Sequence, residues 1–120
     1  MPSIELIKNI LKDSNYDLTI FEPHEIEALA NRITLQTTRE KLVPYVDCVV
    51  RGKPIVLKPE EVVRQLFAAQ LIDRYRYSKK RIAFEHPIHF GRQVKRADIV
   101  IFDKDRPNVE YIIVEIKMPK

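Results

Sequence analysis

The stretch from Glu85 to Lys117, EHPIHFGRQVKRADIVIFDKDRPNVEYIIVEIK, decides the fold. Its runs of β-branched and aromatic residues predict three consecutive strands, over residues 82–88, 97–102 and 111–117. Residues 91–96 form a polar link between the first two strands, and residues 103–108 make a turn before the third. Since short connections favour antiparallel neighbours, we expect a largely antiparallel sheet.

Two acids, Asp98 and Glu115, lie inside these apolar runs, where a charge is costly unless it is paired or binds a cation. Alternation along a strand places Glu115 and Lys117 on one face, about 7 Å apart. If the last two strands pair as a hairpin, Asp98 lies beside Glu115. Two adjacent carboxylates then need a compensating cation, and oxygen ligands select Mg²⁺ or Mn²⁺.

In such a site Lys117 would orient the attacking water or help to deprotonate it. A structural alternative stays open, because Asp98 and Glu115 could instead form salt bridges with Arg96 or Lys117.

Composition limits the class of protein. The 120 residues, 45% hydrophobic and 32% charged, suit one soluble domain. No run is long enough to span a membrane and no apolar signal segment begins the chain, so we expect a cytoplasmic protein with no membrane partner. The single cysteine, Cys48, excludes an intrachain disulfide and a cysteine-based zinc site.

The formal net charge is +4, and basic residues concentrate between positions 74 and 96, with aromatic residues among them. This pattern suits a polyanionic partner, although charge alone favours an ordinary solvated surface. The basic residues are Arg74, Arg76, Lys79, Lys80, Arg81, Arg92, Lys95 and Arg96.

The rest of the chain predicts three helices and a hairpin. The helices cover residues 3–12, capped by Ser3, residues 25–32, opened by Pro23, and a long segment from Pro59 to about Arg74 or Tyr75. A β-rich hairpin over residues 39–57 turns at Gly52. We therefore expect one compact domain, with a helical cap over residues 1–38 and a core over residues 39–120.

Four blocks of this sequence, in this order, resemble a known family. They are PEEVVRQ at 59–65, Glu85 with Pro87-Ile88, KRADIV at 95–100 and VEIK at 114–117. Together they resemble the N-terminal nuclease region of type I restriction enzyme R subunits, within the PD-(D/E)XK superfamily, or a short stand-alone relative of it. The similarity covers about residues 39–120.

The resemblance implies an α/β fold of the restriction-endonuclease type, with a mixed, mainly antiparallel sheet flanked by helices. The final helix and strand of that fold would lie beyond Lys120. This indicates either a piece of a larger protein or a chain that completes its sheet by self-association through an exposed edge. Two departures are Ala97, which stands where proline often precedes the aspartate, and a downstream Gln-x-x-x-Tyr motif that the chain does not reach.

The resemblance also assigns residues to roles. Asp98, Glu115 and the Ile116 carbonyl match metal ligands, and Lys117 matches the catalytic lysine. Glu61 is favoured over Glu60 as a further ligand, against a purely electrostatic role in the first helical turn. Glu85 is a further ligand or a structural partner of Arg96. The predicted contacts to DNA are Arg92, Lys95 and Arg96, with Arg64 and Gln65 either reaching a phosphate or orienting their neighbours.

By this resemblance, the chain is expected to be a Mg²⁺- or Mn²⁺-dependent DNA endonuclease module of a type I restriction-modification system. Its partners would be DNA and, through a parent protein, the M and S subunits. One alternative is a catalytically inactive nuclease-fold module that binds DNA or a partner subunit. Another is a structural cap or oligomerisation domain, which predicts no salt-dependent affinity for DNA.

Overall fold

The computed structural model describes residues 2–12, 14, 16 and 18–117, with Pro2 and Ser3 described by their backbone alone. The side-chain cap predicted for Ser3 therefore lies outside the described part of the chain. The elements in order are α1 (Pro2–Leu11), α2 (Pro23–Ala30), β1 (Ile33–Thr38), β2 (Lys41–Asp47), β3 (Pro54–Val56), α3 (Pro59–Asp73), a short 3₁₀ turn (Lys79–Arg81), β4 (Ile82–Phe90), β5 (Gln93–Phe102) and β6 (Glu110–Val114).

The strands form two three-stranded antiparallel sheets, β1-β2-β3 and β4-β5-β6. The predicted α/β class, with antiparallel strands and flanking helices, is confirmed. The strands divide between two sheets instead of forming one, and every strand pair in the described residues is antiparallel. None of the helices described is long and apolar enough to cross a membrane.

Helix α3 contributes to two of the three apolar clusters among the described residues. Pro59 opens it, and Glu60 and Glu61 lie in its first turn, where negative charge favours the positive end of the helix dipole. Leu66 packs in a core with residues of α1, α2 and the first sheet. Ala68 packs against the second sheet. The predicted extent of this helix is confirmed to within one or two residues.

The first sheet corrects one prediction and confirms another. Residues 33–38, assigned to the helical cap, form strand β1, which pairs with β2 through a turn in which Arg39 and Glu40 have positive φ. The error arose because most β1 side chains are exposed, so the segment lacks the apolar alternation that identifies a strand. The hairpin predicted at Gly52 is confirmed, with φ of +69° at that glycine.

In the second sheet, the β4–β5 connection is shorter than predicted. The last pair of the hairpin is Phe90 with Gln93, so Gly91 (φ +59°) and Arg92 alone make the turn, and residues 93–96 belong to β5. Strand β6 ends at Val114 and pairs only with Ile99–Phe102 of β5. In the part of the chain that the structure describes, residues 93–98 of β5 therefore have no third strand beside them.

The β4–β5 pairing is interrupted where Glu85 faces Asp98. The register is the same on both sides of this point, with Phe84 opposite Ile99 and His86 opposite Ala97. Glu85 has φ of +51°, a conformation that non-glycine residues adopt rarely. Phe84 and Ile99 pack under α3, whereas Ala97 packs with Ile88 and Val100. The buried side of the hairpin thus changes at Glu85, and both acids lie at this junction.

Candidate functional site

Asp98 and Glu115 lie at the point where β6 ends. The last backbone pair is Ile99 with Val114, and the same register places Asp98 across from Glu115. Beyond this pair the Asp98 side chain, instead of a backbone carbonyl, is the acceptor: its Oδ2 accepts a 2.7 Å hydrogen bond from the Ile116 backbone N–H. The predicted antiparallel pairing of these two strands is confirmed, and it places the two acids next to each other in the register.

The centre of the site is Arg64, on α3. Its side chain is only 5% exposed, and its guanidinium contacts four carboxylates, which we call the acid cluster: Glu60, Glu61, Glu85 and Asp98. Nη2 lies 2.8 Å from Glu60 Oε1 and 3.3 Å from Asp98 Oδ1. Nη1 lies 3.5 Å from Glu85 Oε1 and also pairs with Glu61.

Helix geometry explains half of this arrangement and the sheet the other half. Glu60 and Glu61 precede Arg64 by four and three residues, which is the spacing that brings helical side chains together. Glu85 and Asp98 come from the interrupted position of the hairpin. The guanidinium of Arg64 lies over the Phe84 ring, with Cζ 5.8 Å from the ring centroid, as in a cation–π contact. The planar, multi-donor guanidinium can serve several carboxylates at once.

The crowding of charge is visible in the direction of the pKa shifts. Burial raises the pKa of Glu60, and a hydrogen bond to the Asp98 carboxyl raises it further. Burial alone would lower the pKa of Arg64, but the carboxylate of Glu61 and the hydrogen bond to Asp98 raise it. The Tyr16 phenol belongs to the same electrostatic environment, since burial and then the charges of Glu60 and Asp98 raise its pKa.

The chemistry of the acid cluster fits a hard divalent cation. With all four carboxylates ionised, one guanidinium leaves an excess of negative charge, and oxygen donors are the ligands that Mg²⁺ and Mn²⁺ prefer. A ready-made set of three or more metal-ligating side chains is not found within the described residues. Asp98 uses one oxygen for Arg64 and the other for Ile116, and each oxygen keeps a second lone pair.

The ion pairs differ from the alternatives that the sequence offered. Glu115 pairs with Lys95, with Oε1 2.9 Å from Nζ, and Asp98 pairs with Arg64, so neither acid uses Arg96 or Lys117. Lys117 and Glu115 are both exposed, beyond the end of β6.

The Glu85 side chain does not pair with Arg96, the structural partner that the sequence offered. Its carboxylate contacts Arg64, while Arg96 donates only to its backbone carbonyl, over 3.4 Å.

Arg64 and Gln65 are buried, which argues against the predicted contact with DNA phosphate and favours the alternative, an orienting role. Gln65 is 0% exposed. Its Nε2 donates to Glu61 Oε2 over 3.0 Å, and its Oε1 accepts from the Val49 N–H over 3.0 Å. Glu61, the weakly favoured ligand, is thus held by residues of its own helix.

The other predicted DNA contacts, Arg92, Lys95 and Arg96, are exposed on the β4–β5 hairpin, and their contact with DNA stays a prediction. Two neighbours of the site were missed from the sequence, Tyr16 and Arg51. Arg51 lies over the Phe84 ring, 5.9 Å from its centroid, and donates to the Phe84 carbonyl over 3.3 Å. No local pattern signals either residue, because both reach the site from distant parts of the chain.

The Lys95–Glu115 pair should contribute little to stability because both side chains are exposed to solvent. We expect Lys95→Ala to change the free energy of unfolding by less than about 1 kcal/mol. Urea denaturation followed by circular dichroism checks this, with Lys104→Ala, another exposed lysine, as the control. A loss well above that of the control would show that the pair holds the end of β6.

Fold and site together describe an α/β protein with an acid cluster where a β-hairpin meets a buried helix, beside a Glu115-x-Lys117 segment. The chain belongs to the family described as Type I restriction enzyme R protein N terminus (HSDR_N), whose model matches residues 59–120, just over half of the chain. The match includes the whole acid cluster, Arg64, Glu115 and Lys117. This family links the chain to restriction systems. No curated protein and no solved structure matches it.

Proposed function

We propose that this chain is a Mg²⁺- or Mn²⁺-dependent nuclease module of a type I restriction system, hydrolysing DNA phosphodiester bonds. One observation carries the proposal. Asp98, a member of the acid cluster around Arg64, lies across from Glu115 in the register at the end of β6, and both residues lie in the segment that the family matches. Acids concentrated in this way have a physical reason to be there if a divalent cation joins them.

The residues that would hold the ion are Asp98, Glu115 and the Ile116 carbonyl, with Glu61 and Glu85 as further ligands. Glu60 joins this set because its carboxylate and that of Asp98 contact the same nitrogen, Nη2, of Arg64. When bound, the ion supplies a Lewis acid beside the phosphate. Arg64 gathers Asp98, Glu60 and Glu85 around one guanidinium, and their oxygens would have to turn from it toward the ion.

Lys117 has the catalytic role in this proposal. It is exposed and follows Glu115 by two residues, with the partly buried Ile116 between them. Its ammonium can orient a water against the phosphate or take part in moving a proton from it. Phosphate contacts from Arg92, Lys95 and Arg96 would supply affinity without reading sequence. The M and S subunits would be partners through a parent protein.

The second candidate function is a catalytically inactive module that binds DNA or a partner subunit. The ion pairs favour it, because Asp98 is already paired with Arg64 and Glu115 with Lys95. On this view the acids are structural, and the exposed basic residues of the hairpin bind DNA without any cleavage.

Nicking of supercoiled plasmid, measured with Mg²⁺, with Mn²⁺ and with a chelator, tests the nuclease proposal. We expect metal-dependent nicking that Lys117→Ala slows by about 100-fold or more, because a lost general acid-base group costs roughly that much. Lys104→Ala, an exposed lysine in the turn before β6, is the control and should nick normally. DNA binding without nicking in either metal would favour the second candidate, and equal nicking by Lys117→Ala would contradict the assigned role.

A further inference from the structure

We propose that the outer half of the β4–β5 hairpin enters a groove of duplex DNA and that exposed Phe90 and Val94 make apolar contacts there. We call residues 86–97 the groove ribbon. The proposal rests on the proposed function, since it names the surface through which the module holds its substrate. It adds an apolar contact within the groove to the phosphate contacts expected from the basic residues.

The shape of the groove ribbon suits a groove. Among the residues that the structure describes, β6 pairs only with Ile99–Phe102, so the ribbon is two strands wide there, and its pairs run from His86–Ala97 to Phe90–Gln93. That gives a projection about 14 Å long with a strand spacing of about 4.8 Å. The major groove of B-DNA is about 12 Å wide and admits a two-stranded ribbon.

The apolar residues of the groove ribbon are exposed at its tip. Phe90 is 58% exposed and Val94 is 57% exposed, and they belong to adjacent pairs, Phe90–Gln93 and His89–Val94. One exposed apolar side chain needs no explanation. Paired residues share a face and adjacent pairs alternate, so Phe90 and Val94 lie on opposite faces of the ribbon, on either side of its tip. An exposed apolar side chain on each face of a projecting tip, beside the turn residue Arg92, indicates that both faces contact a partner. In the major groove, apolar side chains contact the methyl group of thymine.

Charge identifies DNA as the occupant in preference to a second copy of this chain. Between His86 and Ala97 the ribbon carries Arg92, Lys95 and Arg96 and no acidic residue. Since Lys95 is paired with Glu115, Arg92 and Arg96 supply its net positive charge. Two such ribbons would repel each other across a symmetric interface, whereas a polyanion is attracted. Basic side chains and Pro87 along the strands also disfavour pairing of the edges with another sheet.

The groove ribbon is also continuous with the candidate site. Its base is the position where Glu85 faces Asp98, so the acid cluster lies about 17 Å from the tip along the strands. That is about half a turn of B-DNA. A ribbon seated in the groove would therefore carry the neighbouring phosphates toward the acid cluster, which gives the hairpin a role in positioning the backbone for cleavage.

Fluorescence anisotropy with a short labelled duplex, without added metal and at several salt concentrations, tests the proposal. The double variant Phe90→Ser/Val94→Thr should bind about 10- to 100-fold more weakly, with an unchanged slope of log affinity against log salt. Arg92→Ala and Arg96→Ala should each reduce that slope by about 1. Leu42→Ser, another exposed apolar residue on a different hairpin, is the matched control and should bind as the wild type.

The outcomes separate this proposal from the proposed function. If the wild type binds and the Phe90/Val94 variant binds equally well, the groove ribbon is contradicted and the nuclease proposal stands. If sedimentation shows a dimer that this variant dissociates while DNA affinity is unchanged, the apolar tip is a protein contact and the proposal is wrong. If the wild type shows no salt-dependent DNA binding, the proposed function fails as well. Circular dichroism of each variant establishes that it is folded.

Discussion

Replacing Arg64 with methionine should lower the free energy of unfolding by about 3 kcal/mol, the lower end of what breaking a buried ion pair costs. The lower end applies because Glu60 and Glu85 remain half-exposed and are screened by water, whereas Glu61 and Asp98 are mostly buried. Methionine keeps the length of the side chain but leaves four carboxylates facing one another. For a domain of this size the melting temperature should fall by about 10 °C.

Arg51→Met is the matched control for this measurement. Arg51 lies over the same Phe84 ring, but it is exposed and bonds only a backbone carbonyl there. Its replacement should lower the free energy of unfolding by no more than about 1 kcal/mol. Thermal and urea unfolding of the two variants, followed by circular dichroism, compares them directly. Equal losses would contradict a central role for the Arg64 guanidinium in holding the acids.

A divalent ion gives the Arg64 experiment a second arm. In Arg64→Met the acid cluster loses the positive charge of the guanidinium. Mn²⁺ should therefore recover part of the lost stability, because an ion that binds only the folded state stabilises it. The recovery should be larger than any effect of Mn²⁺ on the wild type, in which the guanidinium already neutralises part of the charge. Stabilisation of both proteins to the same extent would place the ion somewhere other than the acid cluster.

The local elements of this site could be predicted from the sequence. Pro59 and the acids after it mark the start of α3, and the short turn between β5 and β6 makes their antiparallel pairing the natural arrangement. These two facts were enough to place Asp98 beside Glu115. Strand β1 was missed because its place in the sheet depends on β2 as its partner, and few of its own side chains are buried.

The centre of the site could not be predicted in the same way. Arg64 meets Glu85 and Asp98 from 21 and 34 positions away, and these contacts exist only because α3 packs over the hairpin at its interruption. The sequence shows an ordinary Glu-Arg spacing on a helix, which is equally typical of a solvated face. The positive φ at Glu85 likewise has no signal in the residue type, since glycine would be the usual choice there.

Asp98→Asn should reduce metal-dependent nicking by at least about 100-fold and weaken Mn²⁺ binding by a similar factor, since it removes the ligand charge. It should leave stability almost unchanged. The asparagine carbonyl can still accept the hydrogen bond from the Ile116 N–H, and Arg64 keeps three other carboxylates. Plasmid nicking, Mn²⁺ titration followed by calorimetry and urea unfolding measure the three quantities on one preparation.

Asp98→Ala separates the two tasks of this side chain. It should reduce nicking by the same factor as Asp98→Asn. It should also lower the free energy of unfolding by about 1–3 kcal/mol, because the Ile116 N–H loses its acceptor where β6 ends. Asp105→Asn, in the exposed turn before β6, is the control and should change neither quantity. If Asp98→Asn nicks and binds Mn²⁺ as the wild type while Asp98→Ala is merely less stable, the carboxylate serves only to hold β6. The acid cluster would then be a structural ion-pair network around Arg64, because its most central acid would have no role in binding a cation.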